Sequence, residues 1–269
     1  MQTLIQHNLD TKIAEQISVN FKVFNTHIRH QVSTDLNMLR GRYKVDFNYL
    51  PEQIDTSKIR LFVSDMDSTL INIECIDEIA DFANLKPKVA NITERAMLGE
   101  LDFDASLIER VALLKDLDVG VLDRVYTQRL EVNPGGRELV QFLKKIGIAC
   151  AVVSGGFTYF TERLAKDIGL DHMKANVLGI EQGKLTGVSE GKIINAQAKA
   201  DFVKQLCEDY AINTDQCIVV GDGANDLKMM AVAGISVAYH AKKTVQETAD
   251  IVINYGGLDK IMDLFIHKH

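Results

Sequence analysis

The sequence predicts an α/β fold built on a parallel sheet, because three short apolar runs each end in polar or glycine-rich residues. The runs span residues 61–64, 148–153 and 217–220, and segments with the apolar spacing of helices lie between them. Open α/β sheets bind ligands at the carboxyl ends of their strands. We therefore expect the residues that follow the three runs to form one site.

Composition and charge exclude several classes of function. The chain has 269 residues, of which 46% are hydrophobic, enough for a large core. The net charge is -7 and there is no run rich in Lys or Arg, so neither nucleic acid nor a membrane is an expected partner. The first seven residues lack the basic and apolar regions of a secretory leader, and no stretch is long enough to span a bilayer.

The cysteines are typical of reduced thiols in a cytoplasmic protein. They lie without Cys-x-x-Cys spacing, at Cys75, Cys150, Cys207 and Cys217. This pattern indicates neither a zinc site nor a framework of disulfides. We therefore expect a cytoplasmic location, and the sequence predicts no particular oligomeric state.

Residues 1–57 predict a small α+β accessory unit. Asp10–Val19 has the spacing of an amphipathic helix with Asp10 as its N-cap, and residues 43–49 alternate like a half-buried strand. No catalytic motif lies in this unit. We assign residues 58–74 and 132–269 to a catalytic core.

Residues 75–131 predict a helical cap. Their apolar side chains recur at helical spacing almost throughout, and the block follows directly after the first core strand. A helical insertion at this place is suited to cover a site at the strand end.

Two carboxylates follow the first apolar run. Asp65 ends the run, and Asp67 points the same way if the extended geometry continues for two residues. Two close carboxylates suit Mg²⁺, which prefers oxygen ligands, or a pair made of a nucleophile and an acid/base. A bare Asp-x-Asp is equally typical of a polar turn after a buried strand, so the motif alone leaves both interpretations open.

The other two runs end in residues that suit anions and metals. Ser154-Gly155-Gly156 presents a hydroxyl and backbone amides before a helix, which is an anion-binding arrangement or an ordinary turn. Gly221-Asp222-Gly223-Ala224-Asn225-Asp226 combines acids with glycines that let the backbone approach a ligand. Between them, residues 177–186 predict a β-hairpin, and a helix over residues 195–208 carries Lys199. A lone helical lysine is usually solvated, but the ordered set of motifs is far more specific than any member.

This ordered set resembles the four motifs of the haloacid dehalogenase superfamily. More closely, the chain is similar to the phosphoserine phosphatase family, from about residue 60 to its end, including the helical cap and the hairpin. The resemblance implies a Rossmann-like three-layer core with a parallel sheet and a helical cap inserted after the first core strand. Residues 1–57 fall outside the resemblance.

The resemblance also implies roles for individual residues. Asp65 would attack phosphorus to give an aspartyl-phosphate, and Asp67 would donate and then accept a proton. Magnesium would be held by Asp65, the main-chain carbonyl of Asp67 and Asp222. The phosphoryl group and the surroundings of the metal would be held by Ser154, the amide of Gly155, Lys199, Asn225 and Asp226.

The implied substrate is a small molecule, L-phosphoserine, and the cap would select it. Glu74 would pair with its ammonium and Arg110 would grip its carboxylate, while Met97 and Phe103 would pack over its alkyl part. A solvated helix surface is the alternative interpretation for Glu74 and Arg110. Two alternatives remain open: a phosphatase for another small phosphomonoester, such as phosphohomoserine or phosphorylcholine, and a regulator that binds a phospho-ligand without turnover.

Overall fold

The computed structural model describes residues 3–6, 41–50 and 54–266, and its centre is a seven-stranded sheet. The strands are β1 (Thr3–Gln6), β2 (Phe47–Leu50), β3 (Leu61–Ser64), β4 (Ala149–Phe157), β5 (His172–Glu181), β6 (Lys184–Glu190), β7 (Cys217–Gly221), β8 (Ile235–Tyr239) and β9 (Ile251–Ile253). The order across the sheet is β6-β5-β4-β3-β7-β8-β9, and neighbours are parallel except in the β5–β6 hairpin. The predicted α/β fold and hairpin are confirmed.

Helices pack on both faces of this sheet. They are α1 (Cys75–Phe82), α2 (Lys86–Met97), α3 (Phe103–Ala112), α4 (Gly120–Gln128), α5 (Gly136–Lys145), α6 (Thr158–Ile168), α7 (Ala196–Asp209), α8 (Leu227–Val232), α9 (Lys243–Gln246) and α10 (Asp263–Ile266). Among the described residues, none of these helices combines the length and apolar character needed to cross a membrane.

Strand β3 is the centre of a three-layer core. Its side chains alternate between two hydrophobic clusters: Phe62 packs with α5 and α6, whereas Leu61 and Val63 pack with α7 and α8. All three side chains are fully buried. A strand covered on both faces must be apolar throughout, which explains why its sequence reads as a continuous apolar run rather than an alternation.

Helices α1 to α4 lie in the segment predicted as the cap. The two chain crossings between this segment and the core meet in a β-bridge between Ile71 and Val132. The loop between α3 and α4 also forms main-chain hydrogen bonds with the β5–β6 hairpin: Asp116 N–H donates to Leu185 C=O, and Leu185 N–H donates to Leu117 C=O, both at 2.9 Å. The predicted domain boundaries stay a prediction.

The strand predicted over residues 43–49 begins later than expected. Residues 41–43 are helical, Lys44 adopts a left-handed conformation (φ 55°), and the strand starts at Phe47 and pairs with β1. The buried Asp46 instead accepts backbone hydrogen bonds from Asn254, Tyr255 and Gly256, at 2.7 to 3.0 Å. The predicted helix over residues 10–19 lies outside the described residues.

Candidate active site

The sheet register brings the three predicted strand ends together. Strand β3 lies between β4 and β7, and Ser64 is aligned with Val152 on one side and Val220 on the other. Asp65 follows Ser64 directly, and its N–H donates to Val220 C=O at 2.9 Å. The residues after each apolar run therefore meet at one edge, as parallel strands require.

Lys199 joins two of these strand ends. It reaches in from α7, is fully buried, and its Nζ lies 2.6 Å from Asp65 Oδ1 and 2.8 Å from Asp226 Oδ1. Burial on its own lowers the pKa of Lys199, but the two carboxylates raise it above its usual value. Lys199 is therefore a charged member of a buried cluster, and the solvated position usual for a lone helical lysine does not apply.

Three carboxylates form a compact group that could hold a metal ion. One oxygen from each of Asp65, Asp222 and Asp226 lies within 4.8 Å of the others. Oδ2 of Asp226 accepts from the amides of Asp222 and Gly223, at 3.1 and 3.0 Å, while Oδ1 of Asp226 contacts Lys199. Oδ1 of Asp222 accepts from Thr69 Oγ1 at 2.9 Å. Asp226 is thus held on both sides by protein groups.

Charge in this group is not balanced by the protein. Burial first, and Asp226 second, raise the pKa of Asp65 well above its usual range, although Lys199 opposes this. The same two causes raise the pKa of Asp222 to about 6. The group contains three acidic side chains and only one cation, Lys199, so a bound cation would compensate the excess negative charge. Because the available ligand atoms are carboxylate oxygens, the residues present fit a divalent cation such as Mg²⁺.

Asp67 lies in a turn rather than in a continued strand. Strand β3 ends at Ser64, Asp67 itself is extended, and Ser68 turns the chain with φ 56°. Asp67 Oδ1 accepts from the N–H of Cys75 at 3.2 Å, and Oδ2 accepts from Ser154 Oγ at 3.3 Å. Burial raises the pKa of Asp67, while hydrogen bonds to Cys75 oppose the rise. A carboxyl whose pKa lies above its usual value is suited to proton transfer.

The segment Ser154–Gly156 passes close to both the acids and the cap. Ser154 Oγ is fully buried and accepts from the N–H of Gly156 at 2.7 Å. A Cβ on Gly156 would lie 2.5 Å from Asp67 Oδ2, and one on Gly155 would lie 2.9 Å from the ring of Phe103. Only glycine leaves room for the backbone to approach this closely, which explains the Gly-Gly pair.

Glu74, Arg110 and Asp67 lie near enough to one another for their charges to interact. Glu74 is the N-cap residue of α1, and its Oε1 accepts from Ser68 Oγ at 2.7 Å. Although Glu74 as a residue is exposed, protein atoms surround its carboxylate; this desolvation first, and the charge of Asp67 second, raise the pKa of Glu74 to about 7. Arg110, on α3, is half-buried, and the charges of Asp77, Glu74 and Asp67 act on its guanidinium.

The remaining predicted residues are placed differently. Phe103 begins α3 and its ring faces Gly155. Met97 is the last residue of α2, and 75% of its surface is exposed. Asn225 lies half-buried in the short turn Ala224–Asp226 between Asp222 and α8.

Sequence reasoning missed three residues that support this site. Thr69 donates to Asp222, the Cys75 amide donates to Asp67, and Asn176 Nδ2 donates to the carbonyl of Gly155 at 2.8 Å. Thr69 could have been found from its place directly after the acidic motif. Asn176 gives no such signal, because it directly precedes the predicted hairpin in a strand that also carries His172 and Lys174, and its burial is visible only in the structure.

Comparisons with known proteins agree with this geometry. A family model described as haloacid dehalogenase-like hydrolase matches residues 59–234. A phosphoserine phosphatase of Polaromonas sp. strain JS666 is 48% identical over 222 residues, which cover 81% of this chain and 94% of that protein.

Two solved structures extend the comparison. An unliganded probable phosphoserine phosphatase from Vibrio cholerae has a TM-score of 0.78 and 43% identity, and the match covers 86% of this chain and 71% of that one. A structure titled as a phospho-aspartyl intermediate analogue of phosphoserine phosphatase has a TM-score of 0.71 and 40% identity, covering 76% of this chain and 98% of that one.

Proposed function

The chain belongs to the phosphoserine phosphatase family of the haloacid dehalogenase-like hydrolases, and from this premise we propose that it hydrolyses L-phosphoserine to L-serine and phosphate. The observation that carries the proposal is the buried contact of Lys199 with Asp65 and Asp226 at the mouth of β3. A pure binding protein has no need of a carboxylate held at this point beside a second acid. The proposed reaction is the last step of serine biosynthesis, in the cytoplasm.

Asp65 is the proposed nucleophile. Its carboxylate attacks phosphorus, the bond from phosphorus to the serine oxygen breaks, and an aspartyl-phosphate forms. Water then attacks that phosphorus and releases phosphate, which restores the carboxylate. Lys199 supports this role because its ammonium, 2.6 Å away, lowers the pKa of Asp65 against the larger rise caused by burial and Asp226, and so favours the charged nucleophile.

Asp67 is the proposed acid/base. It gives a proton to the departing serine oxygen and takes one from the attacking water, as the reverse of the first step requires. Its position supports both steps, since the backbone amide of Cys75 holds one oxygen and Ser154 contacts the other. The raised pKa of Asp67 favours the protonated form that the first step needs.

The transferred phosphoryl group needs several donors. We assign this task to the side chains of Ser154, Lys199 and Asn225 and to the amide of Gly155, because negative charge spreads over the phosphoryl oxygens in the transition state. Lys199 and Ser154 are fully buried, so their dipoles and charge act without competition from water.

Magnesium is the proposed cofactor. The ion would be held by Asp65, the main-chain carbonyl of Asp67 and Asp222. Asp226 would orient these groups through its hydrogen bonds with Lys199 and with the amides of Asp222 and Gly223. When bound, the ion supplies the positive charge that lets a phosphate dianion approach a carboxylate.

Glu74 and Arg110 are the proposed specificity residues. Phosphoserine carries an ammonium that can pair with Glu74 and a carboxylate that suits the fork of Arg110. The charge of Asp67 acts on both Glu74 and Arg110, so both side chains lie near the proposed acid/base, and this supports the assignment. Phe103, beside Gly155, and Met97, at the end of α2, are proposed to shield the short alkyl part from water.

A panel of substrates tests the function. The value of kcat/KM is measured for L-phosphoserine, phosphohomoserine and phosphorylcholine, with magnesium and with EDTA, and Asp65→Asn prepared in parallel controls for contaminants. We expect phosphoserine to give the highest value and EDTA to abolish turnover. A preference for another monoester would reassign the substrate, and phosphate binding without turnover would favour the regulator.

A further inference from the structure

Asn176 is hydrogen-bonded to the segment Ser154–Gly156, which is proposed above to bind the phosphoryl group. It is 1% exposed on β5, where its Nδ2 donates to the carbonyl of Gly155 and its Oδ1 accepts from the N–H of Ile194, both at 2.8 Å. The parallel pairing of β4 with β5 shifts register between Val153 and Phe157, so the regular ladder does not fix this part of β4. The side chain of Asn176 supplies the missing contact.

Asn195, which directly follows Ile194 in the chain, connects the start of α7 to α3. Its Oδ1 accepts from the amides of Gln197 and Ala198, both at 3.1 Å, and so caps α7, the helix that carries Lys199. Its Nδ2 donates to the two carboxylate oxygens of Asp104, at 3.1 and 3.2 Å. Asp104 belongs to α3, so this contact ties the cap to the core.

Phe103 and Ile194, the sequence neighbours of Asp104 and Asn195, both lie beside Gly155. A Cβ on Gly155 would lie 2.9 Å from the ring of Phe103 and 3.7 Å from the carbonyl of Ile194. Phe103 directly precedes Asp104, and Ile194 directly precedes Asn195. The position of the Gly155 peptide therefore depends on β5, on the start of α7 and on the cap helix at the same time.

We propose that Asn176 and Asn195 are positioning residues for the phosphatase reaction proposed above. Asn176 fixes the carbonyl of Gly155 and so the conformation of the residue whose own N–H is assigned to the phosphoryl group, and Asn195, through Asp104, holds α3 with its Phe103 and Arg110 in register over Gly155. Neither side chain is among the groups assigned to the reacting atoms. Both act through hydrogen bonds to other residues.

A swap of donor and acceptor tests the link to the cap. Asn195→Asp keeps an oxygen that caps α7 but removes the donor to Asp104 and places two carboxylates together. Losing a hydrogen bond to a charged group predicts a fall of about ten-fold or more in kcat/KM for phosphoserine. Combining it with Asp104→Asn restores one donor and one acceptor in reversed order, and most of the activity should return.

A second variant tests Asn176. Asn176→Asp keeps the acceptor for Ile194 N–H and removes the donor to the Gly155 carbonyl. We expect the inhibition constant of inorganic phosphate to rise about ten-fold. The KM for phosphoserine and p-nitrophenyl phosphate should rise in parallel, with less change in kcat. A merely structural role would lower the melting temperature and leave the affinity of the folded fraction unchanged.

The outcomes separate this inference from the proposed function. A wild-type protein that releases phosphate from no monoester refutes the function. If the wild type is active, two results refute the link to the cap. One is a kcat/KM of Asn195→Asp equal to that of the wild type; the other is a double variant with a kcat/KM as low as that of Asn195→Asp alone. Unchanged phosphate inhibition in folded Asn176→Asp refutes the positioning of Gly155. If Asn176→Asp does not fold, the inference is decided by whether the swap at Asn195 and Asp104 lowers and then restores kcat/KM for phosphoserine.

Discussion

Lys199 and Asp65 lie 134 residues apart in the chain and form a buried ion pair, with 2.6 Å between Nζ and Oδ1. The same ammonium contacts Asp226 at 2.8 Å, so one cation joins α7, the end of β3 and the turn after β7. Both acids and the lysine are at most 3% exposed. Lys199 is the buried cation that both carboxylates contact, so its removal disturbs the whole cluster.

Removal of Lys199 tests this dependence. Lys199→Met should lower the free energy of unfolding of the metal-free protein by about 3–5 kcal/mol, because two carboxylates lose their buried partner. Urea unfolding in EDTA measures the change. The matched control is Lys243→Met, whose pair with Glu247 spans 3.8 Å at an exposed surface and should contribute about 0–1 kcal/mol. Equal effects of the two variants would mean that burial does not strengthen the Lys199 cluster.

The role of Asp67 is tested by the leaving group. Asp67→Asn should slow hydrolysis of phosphoserine by about 100- to 10,000-fold, the usual contribution of general acid/base catalysis. The loss should be much smaller for p-nitrophenyl phosphate, whose leaving group departs without a proton. The comparison uses kcat/KM on both substrates, because kcat/KM reports the first phosphoryl transfer, whereas kcat also includes the second step, in which Asp67 acts as the base for either substrate. An equal loss on both would assign Asp67 a metal-holding or structural role instead.

Arg110 should determine specificity without affecting the reaction itself. Arg110→Ala leaves the substrate carboxylate desolvated without its partner, which costs on the order of 2–5 kcal/mol in kcat/KM for phosphoserine. Activity on p-nitrophenyl phosphate, which has no such carboxylate, should stay within a few-fold. Arg110→Lys keeps the positive charge but loses the two-pronged guanidinium, so its kcat/KM for phosphoserine should lie between the values of the wild type and of Arg110→Ala. A parallel fall on both substrates would show that Arg110 supports the structure of the cap.

Glu74 should give the reaction with phosphoserine its own pH dependence. Because the pKa of Glu74 is raised to about 7, by burial first and by Asp67 second, the carboxylate is charged above this pH and gains a proton below it. The ammonium of phosphoserine pairs only with the charged form, so kcat/KM should fall as the pH drops through 7. In Glu74→Gln this fall should disappear from the profile for phosphoserine. Identical acid limbs in both proteins would place the titrating group elsewhere.

The core and the acidic motif could be predicted from the sequence because their signals are local. A strand covered on both faces must be apolar along its length, and Leu61–Ser64 shows this directly. The Asp residues at its end are recognisable from their spacing and from the order of the other motifs.

The remaining features depend on partners far along the chain. The burial of Lys199 requires Asp65 and Asp226, and no local pattern around residue 199 reports them. The start of β2 was predicted too early because Tyr43 and Val45 alternate with polar residues, whereas the left-handed Lys44 and the amides that Asp46 binds delay the strand. The exposure of Met97 likewise depends on how α2 packs, which its sequence does not report.

The covalent role of Asp65 is tested most directly by trapping the phosphoryl group. The protein is mixed with ³²P-labelled phosphoserine and magnesium, quenched in acid within one turnover, and digested for identification of the labelled peptide by mass spectrometry. The account predicts label on Asp65 that is lost with hydroxylamine, which cleaves acyl phosphates, and no label in Asp65→Asn. Label recovered on any other residue, or full turnover by Asp65→Asn, would contradict it.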